Sequence, residues 1–336
     1  MSEAEHVMLA HGNGGRRMRE LIESVFARHL ANPSLDVDRD AAPLDIAPGM
    51  VPFITTDAFT VQPLEFPGGD IGSLAVNGTV NDLAVAGALP RYLTLAAIIE
   101  EGFPLARLER IVRSAARAAE AAGVRVVAGD TKVVPRGQGG GLYLITTGVG
   151  LRAQGPAPGM TGIAAGDLVL ASGTLGDHGI AVLLARQEFD IGGSICSDCA
   201  PVTAYTSAIV PIPGLRFMRD PTRGGLASVA HEIAAATGLG VRLREQDVPV
   251  RDAVRSCCTM LGYDPYYLAS EGRVIAVASP EAAPRILAAW RALPGGGQAC
   301  AIGRIDGEAG PVILDTAVGG ERFVEELEDD PLPRIC

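Results

Sequence analysis

The alternation of short apolar runs with a long amphipathic pattern is the feature that most limits how this chain can fold. Apolar runs at 92–99, 124–128 and 142–149 have the length and composition of buried strands. Between the first two, apolar residues repeat at helical spacing from Leu105 up to Gly123, a residue typical of a helix C-cap. Strand, helix and strand in this order predict an α/β (α+β) domain.

The length of the chain predicts more than one such domain. At 336 residues it exceeds what one hydrophobic core usually organises, and two domains are expected. A segment rich in glycine and proline lies near the middle and is typical of a linker. We therefore predict an N-terminal domain over 1–153, a linker over 154–165, a C-terminal domain over 166–324 and a mobile tail over 325–336.

The composition excludes several classes of protein. A formal net charge of −11 argues against nucleic acid as the main partner, since phosphate binding needs clustered Lys and Arg. No apolar run approaches the length of a membrane span, and the first residues are acidic, so neither a membrane helix nor a signal peptide is expected. The six cysteines form no dense framework, which favours reduced thiols and a cytoplasmic protein.

Carboxylates recur in the first half of the chain. Asp57 is expected just beyond a short strand at 51–54, Asp130 just beyond the strand at 124–128, and Asp40 precedes both. The end of a strand is where α/β folds place ligand chemistry. Asp82 lies in a helical pattern of otherwise small, apolar residues, together with Asn77 and Asn81, where polar groups favour a partner such as a metal or a ligand. Hard oxygen ligands of this kind suit Mg²⁺ that bridges nucleotide phosphates. The chain has no P-loop and no kinase signature, so a nucleotide site would be of another type.

Several features of the sequence have two possible readings. Asp220 opens the motif RDPTRGG, where it is either a helix N-cap or a ligand. The glycine-rich stretch 11–16 is either a phosphate-binding loop or a flexible one. Glu271 is a loop carboxylate with no assigned role. Cys196 and Cys199 have the spacing of a metal-binding or redox pair, but the sequence contains no second pair with this spacing.

The chain ends in PLPRIC, which places a thiol on Cys336. Pro331 and Pro333 favour an extended path that cannot continue a helix. Six extended residues span roughly 20 Å, enough to carry a thiol from the surface into a cleft. A disordered end with a stray cysteine is the plainer alternative.

Taken together, these stretches resemble the HypE family of hydrogenase-maturation proteins, within the aminoimidazole-ribonucleotide-synthetase-like (PurM-like) superfamily. The similar motifs span the chain and include HGNGG, NGTVNDLAVAGA, GDTKVV, GDHG, MRDPTRGGLA, LGYDP, EGRV and PLPRIC. Asn13 in HGNGG departs from the small residue expected there. The cysteine pair at 196 and 199 has no place in the mechanism that the family shares.

The resemblance implies a two-domain PurM-like fold that forms a homodimer through its N-terminal domains and binds ATP with Mg²⁺. It implies that a separate carbamoyltransferase, HypF, loads a carbamoyl group onto the terminal cysteine. ATP then drives dehydration of this group to a thiocyanate. The cyanide passes to a HypC–HypD scaffold as a ligand for the iron of [NiFe] hydrogenase.

The resemblance also implies roles for individual residues. Metal ligands are expected at Asp40, Asp82 and Asp220, and nucleotide contacts at Asp57, Asp82, Gly129, Asp130 and Thr131. The reaction itself is expected to use Cys336, Lys132 and Glu271. Chemically, an amide oxygen must become part of a phosphate before it can leave, and two N–H protons then need a base such as Glu271. Lys132 could neutralise the developing phosphate charge or relay a proton.

Two other functions would use part of this sequence. A small-molecule synthetase of the same superfamily would be expected to carry a reactive cysteine or selenocysteine near the glycine-rich loop, and none stands there. A non-enzymatic adaptor that docks through its cysteine tail would not need the series of carboxylates.

Overall fold

A computed structural model of the chain describes residues 6–37, 39, 41–155, 158–187, 195–307 and 310–327. Its elements fall into two sets. The first set comprises a 3₁₀ turn (Leu9–Gly12), α1 (Arg16–Leu21), a π-helical turn (Ile22–Ala27), α2 (Arg28–Leu30), β1 (Met50–Phe59), β2 (Glu65–Phe66), β3 (Gly69–Asp70), α3 (Ile71–Val85), β4 (Leu89–Glu100), α4 (Leu105–Ala122), β5 (Arg125–Val134) and β6 (Leu142–Ala153).

The second set follows a short 3₁₀ turn at Met160–Gly162. It comprises β7 (Leu168–Ala171), α5 (Asp177–Gln187), α6 (Thr203–Ile209), β8 (Leu215–Arg219), α7 (Gly225–Thr237), β9 (Val241–Arg244), α8 (Asp252–Leu261), β10 (Ile275–Ala278), α9 (Ala283–Arg291), β11 (Cys300–Ile305), β12 (Val312–Asp315) and β13 (Glu321–Phe323). Three further 3₁₀ turns lie at Glu245–Asp247, Pro265–Tyr267 and Gly296–Gln298.

Each set builds its own mixed sheet. The first sheet has the order β1-β6-β4-β5, in which only β4 and β5 are parallel. The second has the order β13-β12-β9-β11-β7-β10-β8, in which only β9 and β12 are parallel. Two mixed sheets with helices confirm the predicted α/β (α+β) class. The proposed domain boundaries at 153 and 166 stay a prediction.

The predicted helix at 105–119 is α4, and its apolar stripe explains its place. Leu108, Ile111, Val112 and Ala115 point into the core, as their spacing of three and four residues requires. The helix ends where Gly123 adopts a φ of 69°, a conformation that side chains with a Cβ avoid.

Helix α3 is the central element of the molecule. Asp70 caps it, accepting a hydrogen bond from the Ser73 amide at 2.9 Å while its own amide donates to Ser73 Oγ at 3.0 Å. The helix is buried almost all round, since it packs on α4, on β1 and β6 of the first sheet, and on α6 and β8 of the second half. Its glycines permit this, because a Cβ at Gly72 would overlap the Ile111 carbonyl.

Two predicted strand ends were wrong. Asp57 was expected just beyond a strand, but β1 continues through it as far as Phe59. Asp130 was also expected beyond a strand, but β5 continues through it as far as Val134. In both cases the ladder to a neighbouring strand extends the strand past the apolar run, which local composition does not reveal.

Candidate active site

Strand β1 and helix α3 bring two of the predicted carboxylates together. Asp57 lies on the face of the sheet that α3 covers, and Thr79 of α3 donates to Asp57 Oδ2 over 2.8 Å. Asp82 lies one turn further along α3 and accepts a hydrogen bond from Thr55 Oγ1 at 3.0 Å. Burial raises the pKa of both carboxyls, and the negative charge of Asp57 raises that of Asp82 further.

Asp220 adds a third carboxylate from the second half of the chain. It follows directly on β8 and is buried. Burial and the negative charge of Asp82 raise its pKa to about 7. The reading of Asp220 as a helix N-cap was wrong, because α7 begins later and its N-cap is Gly224, with a φ of 71°.

Glu271 completes the group from the loop that precedes β10. Only 3% of its surface is exposed. Burial, together with the charges of Asp220, Asp198, Asp82 and Asp57, raises its pKa well above the usual value for glutamate. A carboxyl whose pKa is raised by burial and by neighbouring negative charges is typical of a catalytic acid or base.

We call Asp57, Asp82, Asp220 and Glu271 the acidic cluster. Arg219 and Arg223 offset its charge only in part, by lowering the pKa of individual aspartates. Burial and mutual repulsion disfavour the charged form of these carboxyls. A bound cation would stabilise that charged form. Among the described residues, no three or more His, Cys, Asp or Glu side chains are already arranged to hold a metal ion.

A cleft opens beside the acidic cluster, between the first sheet and β8. A cavity of about 370 Å³ is lined there by Thr55, Asp82, Met218 and Arg219, together with Pro158 and Gly159 near the linker. A cleft between two domains, with few but convergent polar groups, is a common place for a ligand.

The structure does not bring Asp130 and Lys132 to this cluster within one chain. Both lie on β5 with exposed side chains, and Lys132 Nζ is 3.3 Å from Asp130 Oδ2. The strand register pairs Asp57 with Thr146, Thr146 with Leu95 and Leu95 with Gly129. Asp130 and Lys132 therefore point to the opposite face of the sheet, three strands or about 14 Å from Asp57.

The two other predicted contacts on β5 are Gly129 and Thr131, which alternate with these exposed side chains along the strand. Gly129 packs against the neighbouring strand, where a Cβ would overlap the Leu95 carbonyl oxygen. Thr131 is buried, on the same face of the sheet as Gly129. Of the remaining predicted residues, Asp40 and Cys336 lie outside the described residues.

The segment between Cys196 and Cys199 contacts Glu271, which the sequence did not reveal. The side chain of Asp198 is buried and accepts a hydrogen bond from the Glu271 amide at 3.1 Å, and burial raises its pKa to about 6. Cys199 accepts a long hydrogen bond from Asn77 at 3.4 Å. Its thiol is buried enough to raise its pKa, and Cys196 is exposed. The spacing drew attention to the cysteines, whereas the contact with Glu271 comes from the aspartate between them.

The described part of the chain ends close to the acidic cluster. Val324 and Glu325 are held by hydrogen bonds at 2.8 Å from His231 and Tyr267 to their carbonyl oxygens. Leu327 lies beside Gly224, in the loop that follows Asp220. The last described residue is thus fixed near the loop that carries one member of the cluster.

Both halves of the chain match one superfamily. The N-terminal domain of the AIR synthase related proteins matches residues 38–152, and the C-terminal domain matches residues 164–315. The fold and the acidic cleft between the two sheets thus define an AIR synthase related protein with the PurM-like fold. Thiamine-monophosphate kinase from Stenotrophomonas maltophilia, at 22% identity and a TM-score of 0.66, shares this fold.

Closer relatives identify the family within that class. Carbamoyl dehydratase HypE of Azotobacter vinelandii is 46% identical over 98% of this chain and 97% of its own. The HypE of Rhodobacter capsulatus is 47% identical over 99% and 98%. A crystal structure of HypE in complex with ATP superimposes with a TM-score of 0.93 at 43% identity, covering 98% of this chain and 99% of that one. The chain belongs to the carbamoyl dehydratase HypE family, as its motifs indicated.

One negative finding agrees with the composition. Over the residues that the structure covers, none of the helices is both long enough and apolar enough to cross a membrane.

Proposed function

We propose that this chain catalyses the ATP-dependent dehydration of an S-carbamoyl group on its own Cys336 to a thiocyanate. The product would supply cyanide ligands for the iron of [NiFe] hydrogenase. The observation that carries the proposal is the buried Glu271 carboxyl, held beside Asp220 between two sheets. It is supported by the match of the whole chain to carbamoyl dehydratases.

The chemistry requires activation of the carbamoyl oxygen and removal of two protons. The oxygen attacks the γ-phosphorus of ATP, ADP leaves, and the carbon–oxygen bond then breaks to release phosphate. The nitrogen loses both of its protons as the C≡N bond forms, so thiocarbamate and ATP yield thiocyanate, ADP and phosphate. Glu271 is the group we assign to accept a proton, because it lies in a dry site where a carboxylate is a stronger base.

Mg²⁺ fits the acidic cluster. Asp82 and Asp220 would hold the ion, together with phosphate oxygens and water, and Asp40 is a further candidate ligand. The fit rests on the charge of the site. Asp82 lies close enough to raise the pKa of Asp220, Asp57 raises that of Asp82, and all supply the hard oxygen atoms that Mg²⁺ prefers. When bound, the ion would neutralise phosphate charge. Asp57 would contact the nucleotide from β1.

A homodimer would bring Asp130 and Lys132 of one chain to the acidic cluster of another. The face of the first sheet opposite α3 exposes Ile54 to 74%, and Ile98 and Ile145 are partly exposed there as well. We propose that two copies pack through this face. Gly129, Asp130 and Thr131 would then contact nucleotide, and Lys132 of one protomer would serve the Glu271 of its partner.

The reach of the tail is sufficient for the proposed reaction. Nine residues follow Leu327, and nine extended residues span about 30 Å. Ser270 donates from its amide to the Pro221 carbonyl oxygen at 2.9 Å, so the Glu271 loop packs against the same 220–224 segment that Leu327 contacts. Cys336 could therefore reach Glu271 from the fixed root of the tail.

One similar structure supports HypF as a partner of this chain. A HypE–HypF complex superimposes with a TM-score of 0.80 at 42% identity over 91% of this chain. We propose HypF as the carbamoyl donor and a HypC–HypD complex as the cyanide acceptor. We also propose a cytoplasmic location, in which the described cysteines stay free.

Intact mass spectrometry tests the proposed function. After incubation with HypF, carbamoyl phosphate and ATP, the wild-type chain should gain one carbamoyl group and then lose the mass of one water. Cys336→Ala should gain nothing. Glu271→Gln should gain the carbamoyl group but lose water at least about a hundredfold more slowly.

Cys196→Ala is the matched control, because it removes an exposed thiol elsewhere in the chain. It should behave as the wild type. Water loss that continues in Cys336→Ala, or carbamoylation that disappears in Cys196→Ala, would show that the tail thiol is not the carrier.

A further inference from the structure

Asn81 makes an unusual set of contacts for a residue in the middle of a helix. Its Nδ2 donates to the Glu271 carbonyl oxygen at 3.0 Å and to the Ala200 carbonyl oxygen at 3.1 Å. Its Oδ1 accepts from the Val202 amide at 2.8 Å. All three partners are backbone atoms from the second half of the chain.

The same contacts fix the backbone of Glu271 on both sides. The Glu271 amide donates to Asp198 Oδ1 at 3.1 Å, while its carbonyl oxygen accepts from Asn81 and, at 3.4 Å, from the Ala200 amide. The next residue, Gly272, lies so close to Asp198 that a Cβ there would overlap the Asp198 carbonyl oxygen. The position of the Glu271 side chain therefore depends on α3 and on the segment 198–202.

Burial makes these hydrogen bonds hard to replace. Asn81 is fully buried, so water cannot take over as a partner if the amide is removed. A buried carbonyl or amide left without a partner is unfavourable, so the loop would move to another position in which these groups are satisfied. Asn81 also precedes Asp82 directly, so one turn of α3 carries both a proposed metal ligand and the contact to Glu271.

We propose that Asn81 is a positioning residue for the dehydration, which holds Glu271 in place from the helix that carries Asp82. The inference rests on the proposed function of Glu271. It also replaces the expectation from sequence that this asparagine meets a metal or a ligand.

Asn81→Ser tests the proposal with a side chain that is too short to span the same contacts. With carbamoylated protein and saturating ATP, the rate of water loss should fall between about 10- and 100-fold, because a displacement near 1 Å can cost that much. The affinity for ATP should stay within about threefold of the wild type, since Asp82 is unchanged. The pH dependence of the rate should shift, which a purely structural defect would not produce.

Asn77→Ser is the matched control. Asn77 is also buried, one turn earlier on the same face of α3, but its amide contacts the Cys199 sulfur and not the Glu271 backbone. Its effect on the rate of water loss should be within about threefold. Equal losses in the two variants would overturn the proposal.

A double-mutant cycle with Glu271→Gln separates positioning from other roles. If Asn81 acts through Glu271, Asn81→Ser should cost little in the Glu271→Gln background. Additive losses would overturn the proposal, as would loss of the folded state in Asn81→Ser. Failure of the wild type to lose water would instead refute the proposed function.

Discussion

At the scale of single residues, the acidic cluster lowers the stability of the fold and at the same time provides a site for a cation. Asp220 and Glu271 are buried among other carboxyls, and burial and this negative charge raise the pKa of both. Bringing such groups together destabilises the fold at neutral pH unless a cation joins them. A site that is unfavourable without its ligand is therefore well suited to bind one.

The ligand-free protein is expected to become less stable as the pH rises from about 4 to about 7. In this range Asp198 and Asp220, with pKa values of about 6 and about 7, keep protons that the unfolded chain has lost. The free energy of unfolding falls wherever the native state binds more protons than the unfolded state. Asp220→Asn cannot ionise, so its melting temperature should fall less steeply over this range.

Thermal unfolding of both proteins at several pH values, without Mg²⁺ and ATP, checks this expectation. Asp252→Asn is a control, since Asp252 is exposed at the start of α8. It should keep the slope of the wild type. Parallel curves for the wild type and Asp220→Asn would mean that Asp220 is ionised in the native state throughout.

At the scale of elements, α3 and the tail have separate tasks. Helix α3 connects the first sheet to the second half of the chain through Asn81 and presents Asp82 to the cleft. The root of the tail is held by His231 and Tyr267, which belong to the second half alone. Nucleotide binding and delivery of the thiol should therefore be separable.

A chain truncated after Leu327 should bind Mg-ATP with near-normal affinity, because every contact of the tail root remains. Asp82→Asn should weaken binding by at least about tenfold, since it removes a proposed ligand of the ion. Calorimetric titration of both variants measures the difference. Similar losses in the two would show that the tail forms part of the nucleotide site.

At the scale of the whole molecule, the two faces of the first sheet divide the proposed machinery. Asp57 lies under α3, whereas Asp130 and Lys132 lie on the opposite face. If all of these residues act in one site, as we propose, a single chain would contain both halves of that site without being able to assemble it alone. If two copies pair through the exposed face, Asp130 and Lys132 of one protomer would meet the acidic cluster of the other.

Mixing two inactive variants tests this arrangement. Lys132→Ala and Glu271→Gln should each be inactive as homodimers. On co-expression, half of the dimers contain one copy of each variant. In such a mixed dimer one site receives both intact residues and the other receives both substitutions. Dehydration should recover to about a quarter of the wild-type rate, as expected for random pairing in a two-fold dimer.

Co-expression of Glu271→Gln with Asp220→Asn is the matched control. These residues belong to the same cluster within one chain, so every site in every dimer keeps one defect. Recovery in this control, or no recovery in the first mixture, would contradict a shared site.

The amino-acid sequence by itself determined the local features of the protein. The period of α4, the end of that helix at Gly123 and the composition of the strands follow from local sterics and apolar spacing, and the structure confirms them. The motifs also indicated the family, because GDTKVV, RDPTRGG and PRIC together are specific for HypE proteins. Residue types thus revealed which groups were candidates for the chemistry.

Only the tertiary structure decided which of those groups meet. Asp57 and Asp130 look alike in sequence, yet the strand register places them on opposite faces of one sheet. Asn81 has the signature of a ligand-binding residue, yet its partners lie 119 to 190 positions away in the chain. Strand pairing and the packing of α3 are long-range contacts that depend on the whole chain, so no local pattern encodes them.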